Sequence, residues 1–481
     1  MMNTAELEKV PFSKKLILGM GSLPLFLGWA TFNTVAYRIF NMELEINPVF
    51  VSFALVLPRI WDAFTDPFMG QISDNFHRSK WGRRRPFIFW GAIFNALAFA
   101  TMWLFSPEWS GTAIISYFIV LELIFFTSFT VYSVPYTALT YEMTPDYNER
   151  TRVMAFTAFF NKMGEFFNGW IIYLCTAVSI AYFASDGLSM QGIRSVCGII
   201  ALVIFLGIGI LPALFVKERF ADQSKQQEKV KLIDSCKSAF QSRPFLILIA
   251  IIVFNMLAGT LAMSMDYYLI MYYMAKGNEL LADGLKATLT TGYAVVGFAS
   301  IPLLTWIATR IGKSGTLYLT YGLMVIGGIA KWFIFVPGHS LYYIGKFAID
   351  PILMIDPLLC GPMWVAVNIL LNSMMADICD EDELKHGNRR EGVFGAIYSW
   401  LQKAIFAAGT MFTGIAVAVS GFVATQGIDQ STETFTKMRL FLAGGPALAA
   451  MLAIVALFFY PITAKRAANT RKELEERRGA I

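Results

Sequence analysis

The chain has 481 residues, of which 56% are hydrophobic and only 15% are charged. Soluble domains carry about 25% charged residues, so this composition excludes an ordinary soluble protein and indicates an integral membrane protein. The formal net charge of +5 comes from basic residues concentrated in a few segments, a pattern that predicts membrane topology and requires no nucleic-acid partner.

Twelve apolar segments are long enough to cross a membrane, because a spanning helix needs about 20 apolar residues. In chain order they are approximately 14–40, 46–72, 87–106, 112–141, 152–181, 193–216, 244–274, 287–309, 316–336, 352–376, 393–420 and 439–461. The start of the tenth stays open, since SLYYIGKFAIDPILMIDPLLC is compatible with an outer loop, an interfacial helix or an early helix start. Lys14 and Lys15 lead into a first segment too long for a cleavable signal peptide.

Basic residues predict the orientation of these spans. Loops and tails on the side of the N-terminus hold about 28 of the 39 Lys and Arg residues, against about five in the opposite loops. The richest segments are 73–86, 217–243, 383–392 and the C-terminal tail. We therefore expect a multi-pass protein of the cell membrane with both termini in the cytoplasm.

The polar segment 217–243 divides the spans into two groups of six. We expect an N-terminal six-helix bundle at 1–216, a cytoplasmic middle loop at 217–243, a C-terminal six-helix bundle at 244–461 and a cytoplasmic tail at 462–481. In transporters built from such repeats, the substrate binds near the membrane midplane at the repeat interface. The eighth span carries no acid, so a cation site is expected in the N-terminal bundle alone.

The second span contains the charged sequence RIWDAFTDP at 59–67. Asp62 and Asp66 share one helix face, and Arg59 lies on the same stripe. A charge at the bilayer centre costs at least about 2.5–3.5 kcal/mol, so such residues usually face a polar cavity. The pair predicts a site for a metal cation or a proton. The alternative is a helix-stripe ion pair of Arg59 with Asp62, with Asp66 protonated by burial.

The stretch RIWDAFTDPFMGQISD, followed by WGRRRPF, resembles the glycoside–pentoside–hexuronide:cation symporters, the melibiose-permease-like family of the major facilitator superfamily. MMADICDEDELK…REGVFGAIYSWLQK, at 374–403, is a second match. The loop signature GxxxD…GRR of the superfamily occurs as Gly70, Asp74, Gly82, Arg83 and Arg84. The resemblance implies an all-α major facilitator fold of twelve transmembrane helices and cation-coupled symport by alternating access. It also implies a gating role for Asp74, Arg83 and Arg84.

The resemblance further implies a set of cation ligands and a lysine that links the cation site to the substrate site. The cation ligands of the family fall on Asp62, Thr65, Asp66 and Thr130, and its helix lysine falls on Lys403. Asp62 and Thr130 each lie about ten or eleven residues from the inner ends of their spans, roughly 15 Å at 1.5 Å per residue. Lys403 reaches a similar depth. Hard cations prefer oxygen ligands, but the sequence leaves sodium and proton coupling open.

The substrate pocket differs from that of melibiose permease. Its sugar-binding acids on the first and fourth spans align with Phe26 and Ser133, and its fourth-span tryptophan aligns with Thr137. Its fifth-span arginine aligns with Ala158 and its tenth-span aromatic with Asn368, which becomes a candidate substrate contact. A galactoside-type pocket is therefore not expected.

Polar and aromatic residues elsewhere on the first and fifth spans are candidate substrate contacts instead. Asn161, Lys162 and Glu165 on the fifth span are candidate substrate ligands, although Lys162 and Glu165 can equally form a neutral pair that locks helices together. Trp29, Asn33 and Tyr37 repeat every four residues on the first span, as either a sugar-stacking stripe or helix packing. Two other charged residues lie within predicted spans. Glu122 is expected to line the outer cavity, and Lys331 to extend its ammonium toward the membrane surface.

The protein is not expected to be an enzyme or to hold a cofactor or a resident metal. The histidines and the five cysteines have no metal-binding or disulfide spacing, and a GxxxxGK[ST] phosphate loop does not occur. The prediction is a monomeric symporter that couples Na⁺ or H⁺ to uptake of a sugar, glycoside or sugar acid. Two alternatives remain, a lysolipid or amphiphile:sodium symporter and a transporter-like sensor that binds solute without moving it.

Overall fold

The computed structural model describes residues 10–76, 81–141, 143, 147–218, 241–344, 347–386 and 391–478. Within these ranges the first six long helices overlap the predicted spans one to six. They are α1 (Phe12–Glu43), α2 (Pro48–Asn75), α3 (Arg85–Thr101), α4 (Gly111–Tyr141), α5 (Tyr147–Phe183) and α6 (Met190–Phe215).

The second half of the described chain repeats the pattern and adds a terminal helix. Its helices are α7 (243–274), α8 (279–311), α9 (313–334), α10 (355–386), α11 (Glu391–Ser420), α12 (Thr432–Phe458) and α13 (Ala464–Arg478). In the described ranges, nine helical segments are long and apolar enough to span a membrane, with α8 and α9 forming one of them. Since each predicted span overlaps one of α1 to α12, this finding is consistent with twelve spans.

Helix boundaries follow from local sequence chemistry. The side chain of Asn47 accepts the N–H of Val49 at 2.9 Å and caps α2, whose first residue is Pro48. Ser189 caps α6 in the same way through the N–H of Gly192. Between α8 and α9, Gly312 has φ +77°, a conformation that glycine adopts without a Cβ penalty, and this residue breaks the helix.

The structure divides into two compact units. The first comprises Met1–Gln227 with Glu279–Ala287, and the second comprises Glu228–Asn278 with Thr288–Ile481. The first turns of α8 therefore belong to the first unit, although the predicted C-terminal bundle, 244–461, contains them. Arg38 of α1 contacts this segment within the first unit, because it pairs with Glu43 and, at 2.8 Å, with Glu279. Asp283 also accepts the hydroxyl of Thr176 from α5.

Aromatic rings fill the core of the first unit. Phe32 of α1 contacts Phe125 of α4 and Phe99 of α3, with ring centroids 4.9 and 5.7 Å apart. A Cβ at Gly28 would lie 2.7 Å from the ring of Phe129, so the small residue allows α1 and α4 to approach closely. Tyr132 adds a hydrogen bond from its hydroxyl to the carbonyl of Gly21 at 2.8 Å. These contacts hold α4, the helix that carries Thr130, against α1.

In the second unit, the ambiguous stretch before the tenth span forms a hairpin. Strands β1 (Tyr342–Ile344) and β2 (Phe347–Ile349) pair antiparallel, with Tyr342 opposite Ile349. A turn follows, in which the buried Asp350 accepts the N–H groups of Ile352 and Leu353, and α10 begins at Ile355.

Lys331 corrects one sequence-based expectation. Its ammonium does not extend to the membrane surface, because the side chain is buried and lies 2.6 Å from the carboxylate of Asp356 on α10. Tyr293 of α8 donates a further hydrogen bond to the same carboxylate at 3.0 Å. An acid in the first turn of α10 thus compensates the lysine inside the second unit.

Candidate functional site

The structure brings the four predicted cation ligands together within the first unit. The hydroxyl of Thr130 on α4 lies 2.8 Å from Asp62 Oδ1 and 3.1 Å from Asp66 Oδ1, both on α2. The hydroxyl of Thr65 lies 3.3 Å from that of Thr130. Asp62 and Thr130 are buried, whereas Asp66 and Thr65 are partly exposed. Two carboxylates and two hydroxyls from two helices therefore form one cluster, open on the side of Asp66 and Thr65.

The chemistry of this cluster suits a hard cation. A threonine hydroxyl has one proton and two lone pairs, so Thr130 donates to one carboxylate at a time and keeps an oxygen lone pair for an ion. Carboxylate and hydroxyl oxygens are ligands that hard cations prefer. Among the described residues, no group of three or more His, Cys, Asp and Glu side chains forms a metal-holding cluster. A cation here would rely on the hydroxyls as well as the acids.

Arg59 lies on the same face of α2, one turn before Asp62. Its side chain is 5% exposed, and Nη2 donates to the carbonyl of Trp29 on α1 at 2.7 Å. The guanidinium also lies over the ring of Phe126 on α4, 4.4 Å from its centroid.

Glu122 corrects a second expectation, because it does not line an open cavity. The side chain is 1% exposed, and among the described residues its Oε2 has no hydrogen-bond partner. The sequence signal for this position was available, since Glu122 lies two turns before Thr130 on α4.

The predicted substrate residues of the fifth helix lie partly open. Lys162 Nζ is 2.5 Å from Glu165 Oε2, and the two side chains are 28% and 31% exposed. Asn161 is exposed beside them. The predicted i,i+3 pair therefore forms, and it is accessible.

Helix α1 packs directly against α5 and carries the predicted aromatic stripe. Asn168 of α5 donates to the hydroxyl of Thr34 at 2.7 Å. Trp29 is 37% exposed, but Tyr37 is buried, with its hydroxyl 3.0 Å from that of Ser52 on α2. The structure therefore separates the environments of Trp29 and Tyr37, and the side chain of Asn33 lies outside the described residues.

Two candidate residues belong to the second unit. Asn368 is exposed on α10, where its amide donates to the carbonyl of Trp364 at 3.0 Å. Lys403 is partly exposed on α11. Their roles stay predictions.

The predicted gating loop has a partner that sequence reasoning missed, Glu218. Its carboxylate accepts the backbone N–H of Arg83 at 3.1 Å and of Arg84 at 2.7 Å. Gly82 has φ +106°, a conformation that L side chains rarely adopt, so glycine is favoured there, and a Cβ would also come close to this carboxylate. The available signal was an acid three residues after the end of α6. The side chain of Asp74 lies outside the described residues.

Comparison with known proteins decides the family. The family model described as MFS/sugar transport protein matches residues 17–464, nearly the whole chain. The chain belongs to this family. It is a multi-pass membrane transporter of the major facilitator superfamily and not an enzyme, so the predicted family, fold class and protein class are confirmed.

Similar curated members of this family carry different substrate names. An isoprimeverose transporter of Lactiplantibacillus pentosus is 24% identical, covering 94% of this chain and 89% of that protein. A sodium-dependent lysophosphatidylcholine symporter of Gallus gallus is 24% identical, covering 90% and 83%. A glucuronide carrier protein homolog of Escherichia coli is 24% identical, covering 88% and 87%. These relatives are equally distant, so identity alone selects no substrate.

A solved structure agrees with the fold of the family. The bacterial homolog to the human lysosomal transporter Spinster aligns with a TM-score of 0.65 and 12% identity, covering 98% of each chain. At this identity the likeness shows the fold alone.

Proposed function

We propose that this protein is a sodium-coupled symporter of a sugar, glycoside or sugar acid, with the ion bound by Asp62, Thr65, Asp66 and Thr130. The observation that carries the proposal is the Thr130 hydroxyl, which meets both carboxylates at 2.8 and 3.1 Å. Like charges held this close repel, and a bound cation relieves that repulsion. The partly exposed side of Asp66 and Thr65 provides the route by which the ion enters.

Sodium fits the cluster better than a proton does. A proton needs only one carboxylate lone pair, whereas a sodium ion needs several oxygens, and two threonine hydroxyls adjoin the acids. A relative of Gallus gallus, similar over most of its length, is named as sodium-dependent. Proton coupling is the competing outcome of the tests below.

Carbohydrate is the favoured substrate class. The family is described as sugar transport, and two relatives are named for isoprimeverose and glucuronide. Lys162 and Glu165 offer an accessible cation and anion, and Asn161 offers an amide, which together suit hydroxyl groups or a sugar carboxylate. Trp29 provides an exposed ring for stacking. Within the second unit, Asn368 of α10 and Lys403 of α11 stay the candidate substrate contacts.

A lysophospholipid is the second candidate substrate. The relative named as a lysophosphatidylcholine symporter is as similar as the sugar transporters, and the same paired acids would serve its sodium. A zwitterionic headgroup would also find opposite charges at Lys162 and Glu165.

The remaining elements complete an alternating-access cycle. We propose that both termini are cytoplasmic, that the bundles are 1–216 and 244–461, and that the loop of Asp74, Arg83 and Arg84 stabilises one end state. The backbone hydrogen bonds to Glu218 support a loop held in one conformation. The protein is proposed to act as a monomer.

Purified protein in proteoliposomes tests the function. Isoprimeverose, a glucuronide and lysophosphatidylcholine are first screened for thermal stabilisation with and without sodium, and counterflow of the stabilising compound is then measured. We expect sodium-dependent uphill accumulation in wild type, and its loss with retained counterflow in Asp62→Asn and Asp66→Asn. Full accumulation by either variant would refute the cation site. Stabilisation without counterflow would favour the sensor alternative.

A further inference from the structure

Arg38 is a buried cation near the C-terminal end of α1 that the proposed cation and substrate sites do not use. Its side chain is 2% exposed. The last residues of α1, Tyr37–Glu43, form a π-helical turn, in which hydrogen bonds join residues five apart. This winding brings Glu43 beside Arg38, and the two side chains form an ion pair. Because a buried charge is costly without a partner, α1 itself compensates Arg38.

A second acid reaches Arg38 from the first turn of α8. The carboxylate Oε2 of Glu279 lies 2.8 Å from Nη2 of Arg38. The same oxygen accepts the N–H of Leu188, in the loop between α5 and α6, at 2.5 Å. The side chain of Glu279 nevertheless stays 26% exposed. One carboxylate therefore joins the start of α8 to α1 and to the α5–α6 loop.

The next turn of α8 is held by α5. Asp283 accepts a hydrogen bond from the hydroxyl of the buried Thr176. A Cβ at Gly284 would lie 3.7 Å from the ring of Tyr173, so the two helices are in van der Waals contact there. These turns of α8 belong to the first unit, whereas α8 from Thr288 onward belongs to the second. Helix α8 is thus shared between the units, and its first turns are the part that α1 and α5 hold.

We propose that Glu279 and Asp283 form a latch on the side of the membrane opposite the chain termini, and that the latch releases the start of α8 when the carrier opens to that side. This inference rests on the proposed alternating-access function. Release costs little at Arg38, because its ion pair with Glu43 persists when Glu279 leaves. It costs little at Glu279 as well, because this partly exposed carboxylate becomes hydrated.

A permanent structural contact is the competing interpretation, and it predicts a different response. Weakening a permanent contact would loosen the protein and make both of its sides more reactive. Weakening a latch shifts a population between two states, and in alternating access a carrier that opens on one side closes on the other. Reactivity measured from both sides of the membrane therefore separates the two interpretations.

The test measures cysteine labelling without substrate or coupling ion. Tyr173→Cys places a thiol beside the start of α8. Thr137→Cys places one two turns beyond Thr130 on α4, toward the side of the termini, at a partly exposed position. Oriented membrane vesicles expose each side in turn to an impermeant maleimide, and wild type gives the background of the native cysteines. We expect Glu279→Gln to raise the labelling rate at Tyr173→Cys about 3- to 10-fold, the factor that loss of one net hydrogen bond gives, and to lower it at Thr137→Cys.

Glu433→Gln is the matched control. It removes an acid from the first turn of another helix, α12, and the ion-pair partner of that acid, Lys437, lies on the same helix. Both labelling rates should therefore stay at their starting values. If Glu279→Gln does not fold, Thr176→Val replaces it. This change removes the hydroxyl that Asp283 accepts without changing any charge, so it should shift both rates in the same directions.

Each result decides the inference. An unchanged rate at Tyr173→Cys, or a rise at both reporters, overturns the latch. If Thr137→Cys does not react in the starting protein, Asn372→Cys, exposed on α10, replaces it, and the absence of a fall there also overturns the latch. The labelling needs no transported compound. A failure of the proposed function would appear separately, as absent counterflow in a protein whose labelling is measured independently.

Discussion

Replacing Thr130 by valine removes the one hydroxyl that meets both acids while keeping the shape of the side chain. Hydrogen bonds to charged groups contribute about 1.5–3 kcal/mol, and the distance of 2.8 Å to Asp62 Oδ1 is typical of such a bond. In the sodium-bound state the same oxygen would serve as an ion ligand. Losing this ion ligand should weaken sodium binding by an amount of the same order as a hydrogen bond to a charged group, about 1.5–3 kcal/mol, or a roughly 10- to 150-fold lower affinity.

The gradient that drives the variant distinguishes the two kinds of coupling. A sodium-coupled carrier loses an oxygen ligand in Thr130→Val, so its accumulation of substrate under a sodium gradient should fall. A proton needs only one carboxylate lone pair, so a proton-coupled carrier would keep accumulating substrate under a pH gradient.

Thr127→Val is the matched control, because it makes the same change one turn away on the same helix. The hydroxyl of Thr127 donates to the carbonyl of Leu123 at 2.7 Å and accepts from Trp61 Nε1 at 2.9 Å. Both variants are compared by sodium titration of thermal stability and by accumulation under a sodium or a pH gradient. Sodium affinity that is unchanged in Thr130→Val, or lowered equally in both variants, would refute the assignment.

Three further changes test other parts of the proposal. Exchanging Lys162 and Glu165 keeps the ion pair but reverses the positions of its charges, so substrate affinity should fall more than about tenfold with little loss of stability. If the affinity stays at the wild-type value, the pair only holds helices together. Glu218→Gln should weaken the hydrogen bonds that its carboxylate accepts from the gating loop, and so slow turnover without changing substrate affinity. Turnover is measured by counterflow and affinity by a binding assay. Unchanged turnover would exclude a gating role. Lys403→Ala should reduce the sodium dependence of substrate binding, because the linkage between ion and substrate binding is reciprocal. If the ratio of substrate affinities at high and low sodium is the same in the variant and in wild type, this role is contradicted.

The amino-acid pattern predicts the helices and part of the cation cluster. Thr65 and Asp66 lie three and four residues after Asp62, so any helix brings both of them beside Asp62. Thr130 follows from the family resemblance and from equal depth on a second helix, both available before the structure. The distance between α2 and α4 does not follow, because it depends on the packing of α4 against its neighbours, including the Gly28 contact with Phe129.

Partners distant in sequence account for what the pattern could not predict. Glu218 follows α6 and binds a loop more than 130 residues earlier, and no local spacing records that contact. Lys331 and Asp356 are separated by a hairpin whose conformation the apolar stretch left open. In each case the local spacing identified a charged residue, and only tertiary packing identified its partner.

Exposure separates the charges that a ligand can reach from those that serve the fold. Lys331 and Asp356 form a pair with side chains 3% and 1% exposed, so neither is offered to solvent or substrate. Lys162 and Glu165 form a pair of the same chemistry that is about 30% exposed, so each partner can exchange its bond for one to a ligand. Burying charge in a membrane protein costs free energy in both cases, and the attraction within a buried ion pair offsets part of this cost. The proposed substrate contact of Lys162 and Glu165 rests on this exposure, whereas the buried pair between α9 and α10 stabilises the packing of these helices.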